Sequence, residues 1–593
     1  MSVVFIVAAV ILIARLFDLQ ILKGSFYTAL AADQHELYQK LFPERGSIYV
    51  RENDGDKQTL YPLVTNRPMY VVYAAPIKID DATATAEKIF SVLGPAEDDE
   101  RSYAESQTST TLAIVASSSP DFSKQQELIG KWIAAFLEKD RYYYPIRERI
   151  GDDRIKQLEA LGLKGIGWSE KSYRFYTEKG IGGQLFGFWG YQGTERAGRY
   201  GLEGYFDGIL AGEQGEIKSE RDAHGNMIAF GDSELKEKVD GADLVLTLNR
   251  AIQYRACAEL KKSVETHKAK GGSIIVMNPM TGEILAMCGF PDFDPDKYYQ
   301  VKNANVFNNP AIFAAYEPGS IFKTITMAAA LDAGAVTPET GYVDTGFVDY
   351  RDYKIRNFND KVYGQVTMKQ VLEESINTGV IFAMRQMTTK VFTEYVKKFG
   401  FGEATGIELQ KEMPGNIANL NKRGEINTAT ATFGQGISVT PLQMITAFSA
   451  LVNGGKLMKP YLVSQIIRGD EVIKYIKPQV VKQVISSKTS NLIKGMLVSV
   501  VENGHAKKAQ IVGYRVGGKT GTAQVPDQRG GYKSDDSIIG SFVGFAPFNN
   551  PQIAIIVRVD EPIEGKLGET VALPVFTEVA KFALQYYNVP KDK

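Results

Sequence analysis

Gly272-Ser-Ile-Ile-Val-Met277, the turn Asn278-Pro-Met-Thr-Gly282 and Glu283-Ile-Leu-Ala-Met287 set the architecture. Two runs rich in aliphatic residues flank a Pro/Gly/Asn turn, the pattern of a buried β-hairpin. A second hairpin stands near the C-terminus: Ile538 to Phe545, a turn over Ala546 to Pro551, then Gln552 to Val559. A strand is expected over Asp243 to Leu248, and helices over Ile252 to His267 and Pro574 to Tyr587. Strands at both ends with helices between predict one large α+β domain over residues 241–593.

Upstream, residues 23–240 are mixed and turn-rich and form a second, β-rich piece. A polar stretch from Glu97 to Ser123 reads as a loop or small insertion. Residues Ser2 to Ala14 are apolar and uncharged. Thirteen helical residues span only about 20 Å, short of the roughly 30 Å hydrocarbon core. Residues 1–22 are read as a membrane anchor whose start lies upstream, ahead of a signal peptide or a buried helix.

The chain has 593 residues, with 68 Lys+Arg against 69 Asp+Glu. That balance excludes a nucleic acid as the main partner. Two cysteines and four dispersed histidines exclude a Cys-rich scaffold and a zinc cluster. Cys257, in a helix, and Cys288, ending a strand, are read as small buried hydrophobes rather than a disulfide. No metal or organic cofactor is expected.

Three short motifs follow in order. Ser320-Ile-Phe-Lys323, after Pro318-Gly319, opens a helix. Residues i and i+3 share a helical face, so Lys323 can reach Ser320 as the base that a hydroxyl nucleophile needs. Ser233-Glu-Leu-Lys236 has the same spacing, so the pattern alone is weak. Ser375-Ile-Asn377 follows a helix opened by the capping box Thr367-Met-Lys-Gln370, and Asn377-Thr-Gly379 reads as a turn. Lys519-Thr-Gly-Thr522 lies in an extended, glycine-preceded segment, where a lysine and two hydroxyls on an edge strand can hold a carboxylate. Gly513 to Thr520 also fits GxxxxGK[ST]. Pro526 and the glycines after it prevent the helix that a phosphate loop requires, so nucleotide binding is rejected.

Singly these motifs are common; their order and spacing, roughly 55 and then 145 residues, are not. With Glu317-Pro-Gly-Ser320, Phe433-Gly-Gln-Gly436, Gly518-Lys-Thr-Gly-Thr-Ala523, Arg45-Gly46 and Tyr200-Gly-Leu-Glu203, the chain resembles class B penicillin-binding proteins over nearly its whole length. Ser541 to Pro547 and Ala572 to Phe576 are more similar to the division-type (septal) subgroup than to the elongation type. Thr177 departs from the family, which usually has proline there.

The resemblance implies a multidomain α+β protein with an anchor over 1–22, a pedestal or dimerisation domain over 23–240, and a serine β-lactamase-like transpeptidase domain over 241–593. In that domain an antiparallel sheet lies sandwiched by helices. It implies acyl transfer from D-Ala-D-Ala stem peptides, with Ser320 as nucleophile, Lys323 as base, and Ser375 and Asn377 handling the leaving group and peptide amide. Lys519, Thr520, Gly521 and Thr522 would bind the terminal carboxylate, and the N–H groups of Ser320 and Thr522 would form the oxyanion hole. Implied partners are peptidoglycan stem peptides on their lipid-linked precursor, β-lactams as covalent inhibitors, a SEDS-type glycan polymerase and other division proteins. The implied location is the bacterial cell membrane, single-pass, with the catalytic domain outside. A hydrolase with the same motifs (D,D-carboxypeptidase or β-lactamase) and a non-catalytic β-lactam sensor are the weaker readings.

Overall fold

The computed structural model describes residues 36–54, 57–94, 120–192, 195–220, 233–350, 353–527, 531–533 and 537–593. The expected anchor and most of the polar 97–123 stretch lie outside them; residues 120–123 open a helix, Pro120–Leu137. Among the described residues no helix is long and apolar enough to cross a membrane.

The chain divides into two compact units. The smaller combines the residues up to Gly46 with Gly208–Ala242. Its antiparallel sheet places Gly215–Glu220 between Glu36–Leu41 and Ser233–Lys236. The second SxxK run is therefore a strand, not a helical turn.

The larger unit comprises Ser47–Asp207 and Asp243–Lys593. Its first sheet has seven strands, among them β1 (Ile48–Asp54), β2 (Lys57–Ala74), β3 (Tyr144–Ile150), β4 (Ile166–Tyr176) and β5 (Asp243–Leu246). β5 runs parallel to β1 and antiparallel to Val463–Arg468, so one sheet recruits three distant stretches of chain. Ala86, Ile89, Trp132 and Phe136, from the two helices between β2 and β3, pack with Val72 and Ile146 of those strands.

A buried ion pair fixes this half. Arg174 of β4 donates through Nε to Glu203 Oε1 at 2.6 Å, and through Nη1 to Asn66 Oδ1 at 3.0 Å. The paired side chains are 2% and 0% exposed. Thr177, three residues on, donates its backbone N–H to the Leu63 carbonyl and its hydroxyl to the Pro62 carbonyl. A proline here would lose both donors.

The second sheet is the core of residues 241–593. It contains β6 (Gly271–Met277), β7 (Ile284–Phe290), β8 (Gly517–Gln524), β9 (Ile538–Ala546) and β10 (Ile553–Asp560), in the order β7-β6-β10-β9-β8, all antiparallel. Both expected hairpins are there, and they pair with each other through β6 and β10. Helices lie on both faces. α1 (Arg250–Thr266) and α7 (Leu573–Tyr586) cover one; α5 (Pro441–Val452) and α6 (Ser487–Glu502) cover the other. Phe542 packs on Phe576 of α7 and Phe545 on Phe448 of α5, because residues three apart on a strand face opposite ways. Every residue of β6 and of α5 is buried, which explains their lack of a polar alternation. Thr440 and Gln443 close a capping box on α5, with Pro441 as its first residue.

The two cysteines correct the sequence reading: Cys257 of α1 and Cys288 of β7 form a disulfide, with Cα atoms 5.5 Å apart. Local sequence placed one on a helix and one on a strand but could not show that α1 lies across β7. The bond closes a loop 31 residues long, which on chain-entropy grounds contributes about 4 kcal/mol in an oxidising compartment.

Removing Glu203 strands the Arg174 guanidinium in the interior. Glu203→Ala should destabilise the larger unit by about 3 kcal/mol in chemical denaturation. Arg174→Met with Glu203→Leu should recover most of that loss, whereas a pair that contributes nothing would leave the single variant unchanged.

Candidate active site

Ser320 lies in a 3₁₀ turn, Gly319–Phe322, that runs into α2 (Lys323–Asp332). Two glycines seat this turn on β8. Gly319 has φ +59°, and a Cβ there would come within 2.8 Å of the Thr522 carbonyl oxygen. A Cβ on Gly521 would meet Ser541 Oγ at 2.4 Å and the Ile321 side chain at 3.0 Å. Close approach is therefore built into both motifs, and the Ser320 turn lies against Thr522. Among the described residues β8 is the last strand of its sheet, so its outer edge has no strand partner.

Ser375 occupies the turn between α3 (Met368–Glu373) and α4 (Asn377–Met387). Its φ is +56°. Its N–H bonds to the Leu372 carbonyl and that of Ile376 to the Val371 carbonyl, the Schellman closure in which glycine is usual. The turn thus falls at Ser375, and Asn377 already opens a helix; the expected Asn-Thr-Gly turn is corrected. Two features make it so. Thr378 donates to Asp344 Oδ1 at 2.6 Å, and a Cβ on Gly379 would meet Val371 at 2.4 Å, so Gly379 serves helix packing.

Lys323 and Lys519 are both fully buried, and both reach Ser375. Lys323 Nζ donates to the Ser375 carbonyl at 2.5 Å and to its Oγ at 3.1 Å. Lys519 Nζ lies 3.0 Å from Ser375 Oγ, 3.1 Å from His505 Nε2 and 3.2 Å from the Thr520 carbonyl. These counts match different charge states: three acceptors suit an ammonium, whereas two suit a neutral amine with its lone pair free. Burial, then the Lys519 charge, holds Lys323 well below the usual lysine range. Burial pushes Lys519 down to about 7. Ser375 Oγ accepts from both lysines, and its own proton is left to donate.

His505 was missed by sequence reasoning. Its Nδ1 lies 2.5 Å from the Glu373 carbonyl, which can only accept, so the proton sits on Nδ1. The single lone pair of Nε2 is then shared by Thr520 Oγ1 at 2.6 Å and Lys519 Nζ at 3.1 Å. Burial and the neighbouring Lys519 push its pKa to about 3, so it stays neutral. A lone histidine in the turn after α6 carries no signal when histidines are weighed only as metal ligands.

The other expected residues are placed less directly. No hydrogen bond joins Ser320 to Lys323 among the described residues. Asn377 Nδ2 donates to the Arg356 carbonyl at 2.8 Å. Thr522 Oγ1 receives the Gly568 N–H at 3.3 Å. Lys519 and Thr520 lie on a strand, which removes the phosphate-loop geometry.

The family described as penicillin binding protein transpeptidase domain matches residues 272–581, and penicillin-binding protein dimerisation domain matches residues 40–246. Stage V sporulation protein D of Bacillus subtilis is 34% identical over 594 residues, 99% of this chain and 85% of its own length. The chain belongs to the penicillin-binding proteins. It has the two-part fold of the class B members, dimerisation plus transpeptidase. A peptidoglycan D,D-transpeptidase FtsI homolog of Mesostigma viride is 27% identical over 99% of this chain and 95% of its own length. Penicillin Binding Protein 2X from Streptococcus thermophilus shares the fold at TM-score 0.73 and 23% identity, covering 93% of this chain and 80% of that one. In this penicillin-binding transpeptidase, then, two buried lysines from different motifs share one serine hydroxyl.

Ser375 holds a left-handed conformation that costs a side-chain-bearing residue about 1 kcal/mol. Ser375→Gly and Ser375→Ala both lose the hydroxyl, so the glycine variant should be the more stable by about that amount on thermal denaturation. Equal stabilities would show that the turn is unstrained.

Proposed function

We propose that the chain cross-links peptidoglycan stem peptides through an acyl-serine intermediate, with the eight residues of the three motifs in the following roles. Ser320 Oγ attacks the carbonyl of the penultimate D-Ala, and Lys323, its lone pair unused, takes the hydroxyl proton. The N–H groups of Ser320 and Thr522 hold the oxyanion, since the first opens a helical turn and the second lies on the edge strand. The C–N bond breaks, and Ser375 passes its proton to the departing D-Ala nitrogen while Lys323 resupplies Ser375. Lys519, Thr520, Gly521 and Thr522 line the seat of the terminal carboxylate, to which the Thr522 hydroxyl donates while that of Thr520 is spent on His505; the carboxylate in turn favours the charged form of Lys519. Asn377 offers its carbonyl oxygen to the donor amide. The amine of a second stem then attacks the ester, and Ser320 regains its proton. A β-lactam enters as the donor does and stays as an ester on Ser320; a penicillin binding protein 3 of Mycobacterium tuberculosis, 26% identical at TM-score 0.64, is known complexed with aztreonam.

The observation that carries this reading is the convergence of Lys323 and Lys519 on Ser375 Oγ, with Lys323 held well below the usual lysine range by burial and by the Lys519 charge. The septal role is supported by relatives named FtsI and by Ser541 to Pro547 and Ala572 to Phe576. Residues 1–22 are proposed as the anchor that leaves the catalytic part outside the bacterial membrane, 23–240 as the pedestal and 241–593 as the transpeptidase domain. A SEDS-type polymerase and division proteins are the proposed partners in the membrane. The Cys257–Cys288 disulfide supports an extracytoplasmic site, because such bonds persist in oxidising compartments.

Fluorescent penicillin should label Ser320, mapped by peptide mass spectrometry, and Ser320→Ala should not be labelled. Drug turnover without accumulated adduct would mean a hydrolase, and no reaction by folded protein would sink the assignment.

The rate should also trace a bell against pH. Below the depressed Lys323 pKa the base is protonated and kcat/KM falls. Above about 7 the free enzyme loses the Lys519 charge, and kcat/KM for carboxylate-bearing donors falls again. A flat alkaline limb to pH 9 would remove Lys519 from that role.

A further inference from the structure

A cavity of about 780 Å³ opens at the end of the second sheet, three residues ahead of the catalytic serine. Glu317, Val525, Pro526, Asn416, Arg558 and Asp560 are among its walls. The proposed mechanism assigns it nothing, so its occupant follows from its position along β8. The donor carboxylate sits at Lys519 and Thr520, and the attacked carbonyl at Ser320 and Thr522. β8 then continues through Ala523 and Gln524 to Val525 at the cavity wall. A donor laid along the open edge carries its upstream residues the same way. At about 3.3 Å per residue, the one to three residues before the terminal dipeptide reach the cavity. The acceptor stem does not compete for this space. By microscopic reversibility its amine attacks from where D-Ala departed, beside Lys519 and Ser375, at the other end of the strand segment.

The charges in the cavity select one feature of that peptide. Asp560 is paired with Arg558 at 2.6 Å. Glu561 is paired with Lys270 at 2.6 Å and Lys533 at 2.8 Å. Glu317 differs: its oxygens receive the Gly436 N–H at 2.9 Å and the Tyr532 hydroxyl at 3.0 Å, both neutral donors. Burial lifts its pKa, and no cation offsets that. The carboxylate is fixed in direction by two hydrogen bonds and lacks a counter-ion among the described residues. In the proposed reaction a stem supplies the attacking amine, so a donor stem of the same kind carries that amine too.

We propose that this cavity receives the amine-bearing residue of the donor stem and that Glu317 pairs with its ammonium group. The proposal rests on the transpeptidase reading above and adds to it a specificity for the donor side chain. Pairing a half-buried carboxylate with an ammonium is worth about tenfold in affinity or more.

The test uses the full chain and two synthetic D-Ala-D-Ala stem peptides, one with a free side-chain amine and one with that amine acetylated. The readout is the concentration of each that halves the rate of fluorescent penicillin labelling. The free-amine peptide should compete about tenfold better with the wild type. Glu317→Gln, which keeps the acceptor for Gly436, should compete equally with both. Equal competition by the two peptides with the wild type overturns the proposal, as does competition by neither. So does full discrimination retained by Glu317→Gln. A wild type that penicillin does not label at all overturns the transpeptidase reading instead, so the two failures are separable.

Discussion

Two lysines with no exposed surface share one serine hydroxyl, and the rest of the site follows from that constraint. Two ammonium groups held on one oxygen in a dry interior repel strongly, and desolvation penalises each of them further. Burial and the Lys519 charge hold Lys323 well below the usual lysine range, which relieves that repulsion. The hydrogen bonds show how the inequality is kept. Lys519 finds three acceptors, one of them a histidine locked in the accepting tautomer by a backbone carbonyl. Lys323 finds two, both on Ser375. Lys323 and Lys519 thus differ through the groups that surround two identical side chains.

Bringing those groups together takes three separate elements. The helical turn at Ser320 must press on β8, which needs glycine at 319 and 521. The α3–α4 turn must aim both oxygens of one residue at Lys323, which needs a left-handed serine. α6 must return its trailing histidine beneath Lys519. Asp344 steadies the second of these: it accepts from Gly346, Asn357, Tyr363 and Thr378, and so holds the start of α4 in place.

Much of this was legible in the sequence, and the reasons divide cleanly. The hairpins at 272–287 and 538–559, the capping box at Thr367 and the helix after Ser320 are local patterns, and the structure keeps them. The order of the three motifs carried the family because spacing is itself sequence. What escaped depends on chain segments far apart. Cys257 and Cys288 meet because a helix crosses a strand. Asn377 opens a helix because Thr378 finds Asp344, 34 residues upstream. His505 belongs to the site because α6 packs behind β8. None of these leaves a periodicity or a turn signature.

The seven-stranded sheet bears on what counts as a part of this molecule. Its central strands come from residues 48–74, its near neighbour from 243–246, and its far edge from 463–475. Residues on the two sides of the proposed boundary at 240 meet as hydrogen-bonded neighbours, since Leu244 pairs with Ile48 on one side and Ile466 on the other. The matched regions at 40–246 and 272–581 divide the chain by sequence, but the sheet hydrogen-bonds residues 48–50 to 244–246 and these to 463–467. A substitution in β1 is therefore felt by the catalytic half as a loss of sheet support, without touching any residue of the site.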